Sequence, residues 1–281
     1  MIETVEISDS NLDNFLQILG EDLTDDLKRI YYRGIGVTDN DGNAIGALVC
    51  ELVNSDSDDD KSSRIGFLKS GSKEIFDALH GYYQNNTVAE EEISDSCFEL
   101  TDAAEAKALS RVGFSCEKKE SETVVITLGE LADSKLAKVK KTPSHIGSIE
   151  SLSILQYRDT VKQILFMGHN GVMEDIAYLP MNWFDGRVSS CVISGDLVTG
   201  LFLIRRTPSG VLIPALYSAF GLDSKKNLLY MLEYSLQKAL QEYPSDTRVM
   251  IMRKNAYIRA LTDKLIPGQQ GIEVFCGTRK E

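Results

Sequence analysis

At 281 residues the chain is long enough for two cores of about 140 residues each, and its 43% hydrophobic and 26% charged residues exclude a disordered, collagen-like or disulfide-stapled chain. The formal net charge of −12 is unevenly divided: residues 1–130 carry 11 basic and 28 acidic groups, net −17, and residues 131–281 carry 19 and 14, net +5. An acidic half of this size repels nucleic-acid backbones and anionic membranes, and neither an apolar run of about 18 residues nor a basic-then-apolar leader is visible.

The first half opens with a predicted strand at Thr4–Ile7, then a helix from Ser10 on which Leu12, Phe15, Leu16 and Leu19 recur at helical spacing. A second short helix holds Leu23, Leu27 and Ile30. Ile35–Thr38, the turn Asp39-Asn40-Asp41-Gly42 and Ala44–Val53 form the strongest hairpin signal, because Asp-Gly supplies the positive φ angles of a tight turn. The run Asp56-Ser57-Asp58-Asp59-Asp60 reads as a solvated loop. Arg64–Ser70 follows as a strand, Ser72–Gln84 as an amphipathic helix, Cys97–Leu100 as a strand, Asp102–Arg111 as a helix and Thr123–Leu128 as a strand.

The same order returns from Ser151. Strands are predicted at Leu152–Gln156, Val188–Ile193, Leu197–Ile204, Val211–Ser218, Arg248–Met252 and Ile272–Cys276, with helices near Thr160–Met167, at Lys225–Gln241 and at Asn255–Leu265. Matching elements start at 4 and 152, 44 and 197, 72 and 224, and 102 and 255, a nearly constant shift that marks a domain-sized duplication. The expected division is a domain at 1–130, a Lys-rich linker at 131–148 and a second domain at 149–281.

This order of elements resembles the fold of the GNAT-type N-acetyltransferases, occurring twice: an α/β fold with a mixed sheet in each of two tandem domains. The fourth helix of that family commonly reads N-x-x-A-x-x-L-Y-x-x-x-G-F. Here Asp102-Ala103-Ala104-Glu105-Ala106-Lys107-Ala108-Leu109-Ser110-Arg111-Val112-Gly113-Phe114 ends in the same Gly-Phe. In the second copy Asn255 and Leu261 fall on the pattern, and Ile266-Pro267 replaces Gly-Phe.

The resemblance implies transfer of an acetyl group from acetyl-CoA, as co-substrate, to a small-molecule or peptide amine. That chemistry needs N–H groups to polarise the thioester, a base for the ammonium and an acid for the thiolate. The family's pyrophosphate loop, Q/R-x-x-G-x-G/A at a helix start, is absent from both copies. Leu68-Lys69-Ser70-Gly71-Ser72-Lys73 and Gly221-Leu222-Asp223-Ser224-Lys225-Lys226 each retain one glycine. Two lysines in the first turn favour the second copy, since cations there neutralise phosphate. The expected coenzyme contacts are Ser218, Ala219, Gly221, Ser224, Lys225, Lys226 and Asn255, although an Asn preceding a helix equally reads as its N-cap. The family's tyrosine acid maps to Leu109 and Thr262, so Tyr217 and Tyr257 are the candidate catalytic replacements, although a tyrosine in a strand or helix is more often half-buried packing with a satisfied hydroxyl.

Other constellations exclude more than they suggest. Asp56-x-Asp58-x-Asp60 lacks the glycine and glutamate of a calcium loop, and Arg33-Gly34-Ile35-Gly36 precedes a strand instead of following one. His80, His145 and His169 are too scattered for a metal site. No nucleophile elbow is present. Five cysteines without C-x-x-C spacing read as buried thiols of a reducing compartment, so the protein is expected in the cytoplasm, without nucleic-acid or membrane partners. Loss of both the loop and the tyrosine leaves a second reading open, a non-catalytic binding or interaction module that keeps the fold.

Overall fold

A computed structural model describes residues 2–54, 61–134, 137, 142–167, 174–253 and 256–281. The acidic run from Asp56 to Asp60, His169, Asn255 and most of 135–141 lie outside the described residues. The chain forms two compact units, one of Met1–Ser121 with Glu273–Glu281, the other of Glu122–Ile272.

The first unit contains β1 (Glu3–Ile7), α1 (Leu12–Asp26), β2 (Tyr32–Thr38), β3 (Ala44–Asn54), β4 (Lys61–Lys69), α2 (Lys73–Tyr82), β5 (Asp95–Leu100), α3 (Ala103–Arg111) and β6 (Glu117–Glu120). The second contains β7 (Thr123–Thr127), α4 (Leu128–Ala132), β8 (Ile146–Ser148), α5 (Ile154–Phe166), β9 (Ser190–Ser194), β10 (Leu197–Arg206), β11 (Leu212–Ala219), α6 (Ser224–Glu242), β12 (Arg248–Met252) and α7 (Ala256–Leu265). The last strand, β13 (Glu273–Lys280), returns to the first unit.

The first sheet runs β1-β2-β3-β4-β5-β13-β6 and the second β7-β12-β11-β10-β9-β8. Each is antiparallel except for one parallel pair, β4–β5 in the first and β11–β12 in the second. Strand alternation sends successive side chains to opposite faces. In the first unit Leu48 and Cys50 pack with Phe76, Leu79, Ala106 and Leu109, while Ala47 and Val49 meet Leu12, Phe15 and Leu19 of α1. In the second, Val192 joins Met231, Leu236 and Ala239 of α6, and Cys191 joins Tyr157, Val161 and Ile164 of α5. Two faces of buried apolar side chains per sheet supply the hydrophobic drive for each unit.

The structure corrects the expected division. Residues 122–130 belong to the second unit and 273–281 to the first. β7 pairs with β12 from Thr123↔Met252 to Thr127↔Arg248, and β13 pairs with β5 from Phe275↔Leu100 to Lys280↔Asp95. Periodicity tells which side chains of a strand point inward, not which sheet accepts the strand. Close packing decides the case of β13: a Cβ on Gly277 would lie 1.7 Å from the Ser115 carbonyl oxygen, and Ser115 N donates to Thr278 O at 2.9 Å. The expected linker is also structured at its described ends, by α4 and β8.

Three further expectations change. Leu152–Gln156 is not a strand: Ser153 Oγ accepts from Gln156 N at 3.2 Å and Gln156 Oε1 accepts from Ser153 N at 3.0 Å. That capping box starts α5 instead, and the first strand of the second unit is β8. Strand β6, Glu-Lys-Lys-Glu, carries no apolar residue to announce it; its exposed charges suit a sheet edge. Of the five cysteines, Cys116 is exposed. The two copies otherwise keep step, β3 and β10 starting at 44 and 197, α2 and α6 at 73 and 224, α3 and α7 at 103 and 256. No helix among the described residues is long and apolar enough to cross a membrane.

Candidate functional site

Each unit has its parallel strand pair open on one side, and there the candidate residues fall. In the first unit β4 and β5 pair only from Ser62↔Asp95 to Ile65↔Phe98, although β4 runs on to Lys69. A cleft of about 460 Å³ lies between the end of β4, the start of α2 and α3, with Lys73, Asp77 and Arg111 among its lining residues. Ser72 caps α2 by accepting from Ile75 N. The carboxylate of Glu105, itself buried, takes the Ser70 backbone N–H at 2.7 Å and the Ser70 hydroxyl at 2.8 Å. A carboxylate of the chain therefore already holds a donor that an anion at this loop would use.

The Gly-Phe at the end of α3 serves the core. Gly113 at φ 101° lets the chain leave the helix. Phe114 is buried, edge-on to Phe98 at 5.7 Å, with the Arg279 guanidinium 4.9 Å from its ring centroid. Leu109, at the position of the family's tyrosine, is fully buried.

In the second unit the parallel pair is shorter still, touching at Leu212↔Val249 while β11 continues to Ala219. The β10–β11 ladder slips between Leu203↔Leu216 and Ile204↔Pro214, where Pro214 has no N–H to give. A cavity of about 90 Å³ lies between β11, β12, α6 and α7, lined by Tyr217, Ile251, Ile258, Leu261 and Thr262 among others. Tyr217 Oη donates to Leu228 O at 2.7 Å and its ring meets Phe202 at 4.9 Å. Thr262, the second tyrosine-equivalent position, is buried and donates to Ile258 O at 2.7 Å.

Beyond Ala219 the chain turns through Gly221 at φ 80° and Asp223 at φ 60° into α6. The Asp223 side chain makes no capping hydrogen bond, which leaves the first-turn N–H groups of a 19-residue helix without a side-chain cap and its dipole open to an anion. Lys225 and Lys226 are exposed in that turn, and Lys226 Nζ lies 3.1 Å from Asp223 Oδ1.

Of the candidates, the structure thus brings Gly221, Ser224, Lys225 and Lys226 to one helix start, with Tyr217 and Ala219 on the α6 face of β11. Ser218 stands opposite Leu201, whose cluster packs on α5, so it faces the other way. Its hydroxyl is buried without a hydrogen-bond partner among the described residues. Tyr257 lies in α7, and Asn255 is outside the described residues. Sequence reasoning missed Glu105, whose signal was present: a glutamate at the alanine position of the family's fourth-helix pattern.

Burial pushes the Cys50 thiol up to about 12 and the Cys191 thiol up to about 11, so neither forms a thiolate near neutrality. Among the described residues no group of three or more His, Cys, Asp or Glu side chains is arranged to hold a metal.

No protein-family model and no curated protein matches the sequence. Among solved structures the chain is similar to a tandem GNAT protein from the clavulanic acid biosynthesis pathway, with TM-score 0.65 and 12% identity over 100% of this chain and 98% of that one. It is also similar to the glucosamine N-acetyltransferase region of a fungal multi-domain beta-N-acetylglucosaminidase, with TM-score 0.57 and 10% identity over 99% of this chain and 38% of that one. N-myristoyltransferase of Saccharomyces cerevisiae gives TM-score 0.53 and 12% identity over 99% and 79%. The fold is therefore GNAT-like, in tandem, as the element order implied.

Proposed function

We propose that the chain is an N-acyltransferase that moves an acyl group, acetyl in the simplest case, from a CoA thioester to a small-molecule or peptide amine, with the coenzyme held by the second unit. The observation that carries this reading is the contrast between two helix starts: α6 begins without a side-chain cap beside two exposed lysines, whereas α2 is capped by Ser72 and the loop before it is held at Ser70 by Glu105. The uncapped N–H groups of Ser224 and Lys225, with both lysine ammonium groups, suit a pyrophosphate.

Bound CoA supplies the activated acyl carbonyl. Gly221 lets the backbone turn tightly into α6, Ala219 and Tyr217 border the cleft, Ser218 offers the backbone groups of β11, and Asn255 is assigned either to the pantetheine arm or to capping α7. Tyr217 and Tyr257 are the hydroxyls assigned to proton transfer at the leaving sulfur. Tyr217 would have to release Leu228 O to donate there. The acidic surplus of the first 130 residues favours a cationic acceptor by long-range attraction, and a cytoplasmic setting suits the reduced cysteines.

Leu109 and the occupied hydroxyl of Thr262 favour a second reading, a non-catalytic module that binds through the same fold. Calorimetric titration of acetyl-CoA into the whole protein, followed by an amine-acceptor screen, separates the two. Micromolar binding that weakens at least about tenfold when Lys225 and Lys226 are both changed to Ala, together with turnover, supports the enzyme. Binding without turnover on any amine supports the module, and no binding up to millimolar coenzyme removes CoA from the account.

A further inference from the structure

The cavity between β11, β12 and α7 shares part of its wall with another. It adjoins a second cavity of about 70 Å³, and Phe202, Pro214, Leu232, Ile251 and Leu265 line both. The second reaches beneath α6 to Leu131, Leu236, Ala239 and Val249. Its one polar side chain, Ser235, gives its hydroxyl to Ser190 Oγ at 2.9 Å. In the outer cavity the hydroxyls of Tyr217 and Thr262 both donate to backbone carbonyls. The inner lining thus presents carbon alone and the outer lining mostly carbon to whatever enters, and an apolar space of this kind takes apolar guests. Well-packed cores do not normally leave such room.

We propose that the acyl group carried by the donor is a medium-length saturated chain of about six carbons, seated in this two-part apolar space, and not acetyl. The inference rests on the reading that the second unit takes the CoA thioester, because the outer cavity lies between β11 and β12 and has Tyr217, two residues before Ala219, in its wall. An apolar cavity of about 150 Å³ holds a six-carbon guest, and the two cavities, about 90 and about 70 Å³, together are of that size.

The test is calorimetric titration of the whole protein with CoA, acetyl-CoA, butyryl-CoA, hexanoyl-CoA and dodecanoyl-CoA. Affinity is expected to rise about fourfold for each methylene buried, to level off near hexanoyl, and to gain nothing further at dodecanoyl. Ala239→Leu, which fills the inner cavity, is expected to flatten the series while CoA itself binds as before. If that variant does not fold by circular dichroism, Ala239→Val serves with a smaller loss. Equal affinity for acetyl-CoA and hexanoyl-CoA, or a chain-length gain untouched by the filling variant, overturns the acyl pocket and leaves the coenzyme site standing. Failure of CoA and every thioester to bind overturns both.

Discussion

The Glu105 carboxylate on α3 holds the Ser70 backbone N–H at 2.7 Å and the Ser70 hydroxyl at 2.8 Å, tying the end of β4 to the helix across from it. Glu105→Ala removes both acceptors and leaves the Ser70 donors to whatever water reaches the cleft. The expected cost is about 1–3 kcal/mol, read as a lower urea midpoint at unchanged slope. The same variant clears the first unit's loop, so a second equivalent of coenzyme in calorimetry would identify Glu105 as the group that blocks it.

Gly277 carries no side chain because Ser115 O lies where a Cβ would be. Neither atom can yield without moving backbone, so Gly277→Ala is expected to destabilise the first unit by about 3 kcal/mol. Amide hydrogen exchange should show the loss first in β13 and β6, which pair with each other. Unchanged protection there would refute the steric account.

Asp223 places a carboxylate 3.1 Å from Lys226 Nζ at the helix start assigned to phosphate. Asn keeps the left-handed backbone at φ 60° that Asn and Asp tolerate, so Asp223→Asn removes the competing charge without disturbing the turn. CoA affinity is expected to rise about threefold, the worth of one exposed charge at a helix terminus, with the gain shrinking in high salt. Weaker binding would place the phosphate elsewhere.

His80 stacks on Phe76 and its Nε2 lies 3.1 Å from Arg279 Nη1. The guanidinium only donates, so Nε2 accepts and the ring is neutral. Burial and the Arg279 charge hold the His80 pKa below the ordinary imidazole value. The unfolded chain therefore binds the proton more readily, and the contribution is complete above about pH 6.5 and is lost as pH falls below it. Stability should decline between neutrality and pH 5, and His80→Gln should flatten that decline.

Tyr217→Phe keeps the ring against Phe202 and removes the hydrogen bond to Leu228. A stability loss of about 1 kcal/mol is expected on that account alone. A fall in kcat beyond what Phe202→Leu, a nearby packing change, produces would assign the hydroxyl to proton transfer, whereas unchanged turnover confines it to structure.

Much of this was legible in the chain order of side chains. The Asp-Gly hairpin, the Leu12–Phe15–Leu19 face of α1, the helix α3 and the long α6 follow from local spacing and local hydrogen bonds, which neighbouring residues determine among themselves. So did the duplication, since equal spacing of like elements survives where side-chain identity does not. What the sequence alone left open depended on distant partners. The exchange of β7 and β13 between the two sheets turns on which strands accept them: β12 takes β7, while β5 and β6 take β13 with Gly277 against Ser115. Glu105 acquires its meaning from Ser70, 35 positions away, and the apolar space beneath α6 exists because side chains from β10, β11, β12, α4, α6 and α7 stop short of filling it. Tertiary packing decides such things because contact energies fall off within a few ångströms of space, whatever the distance along the chain.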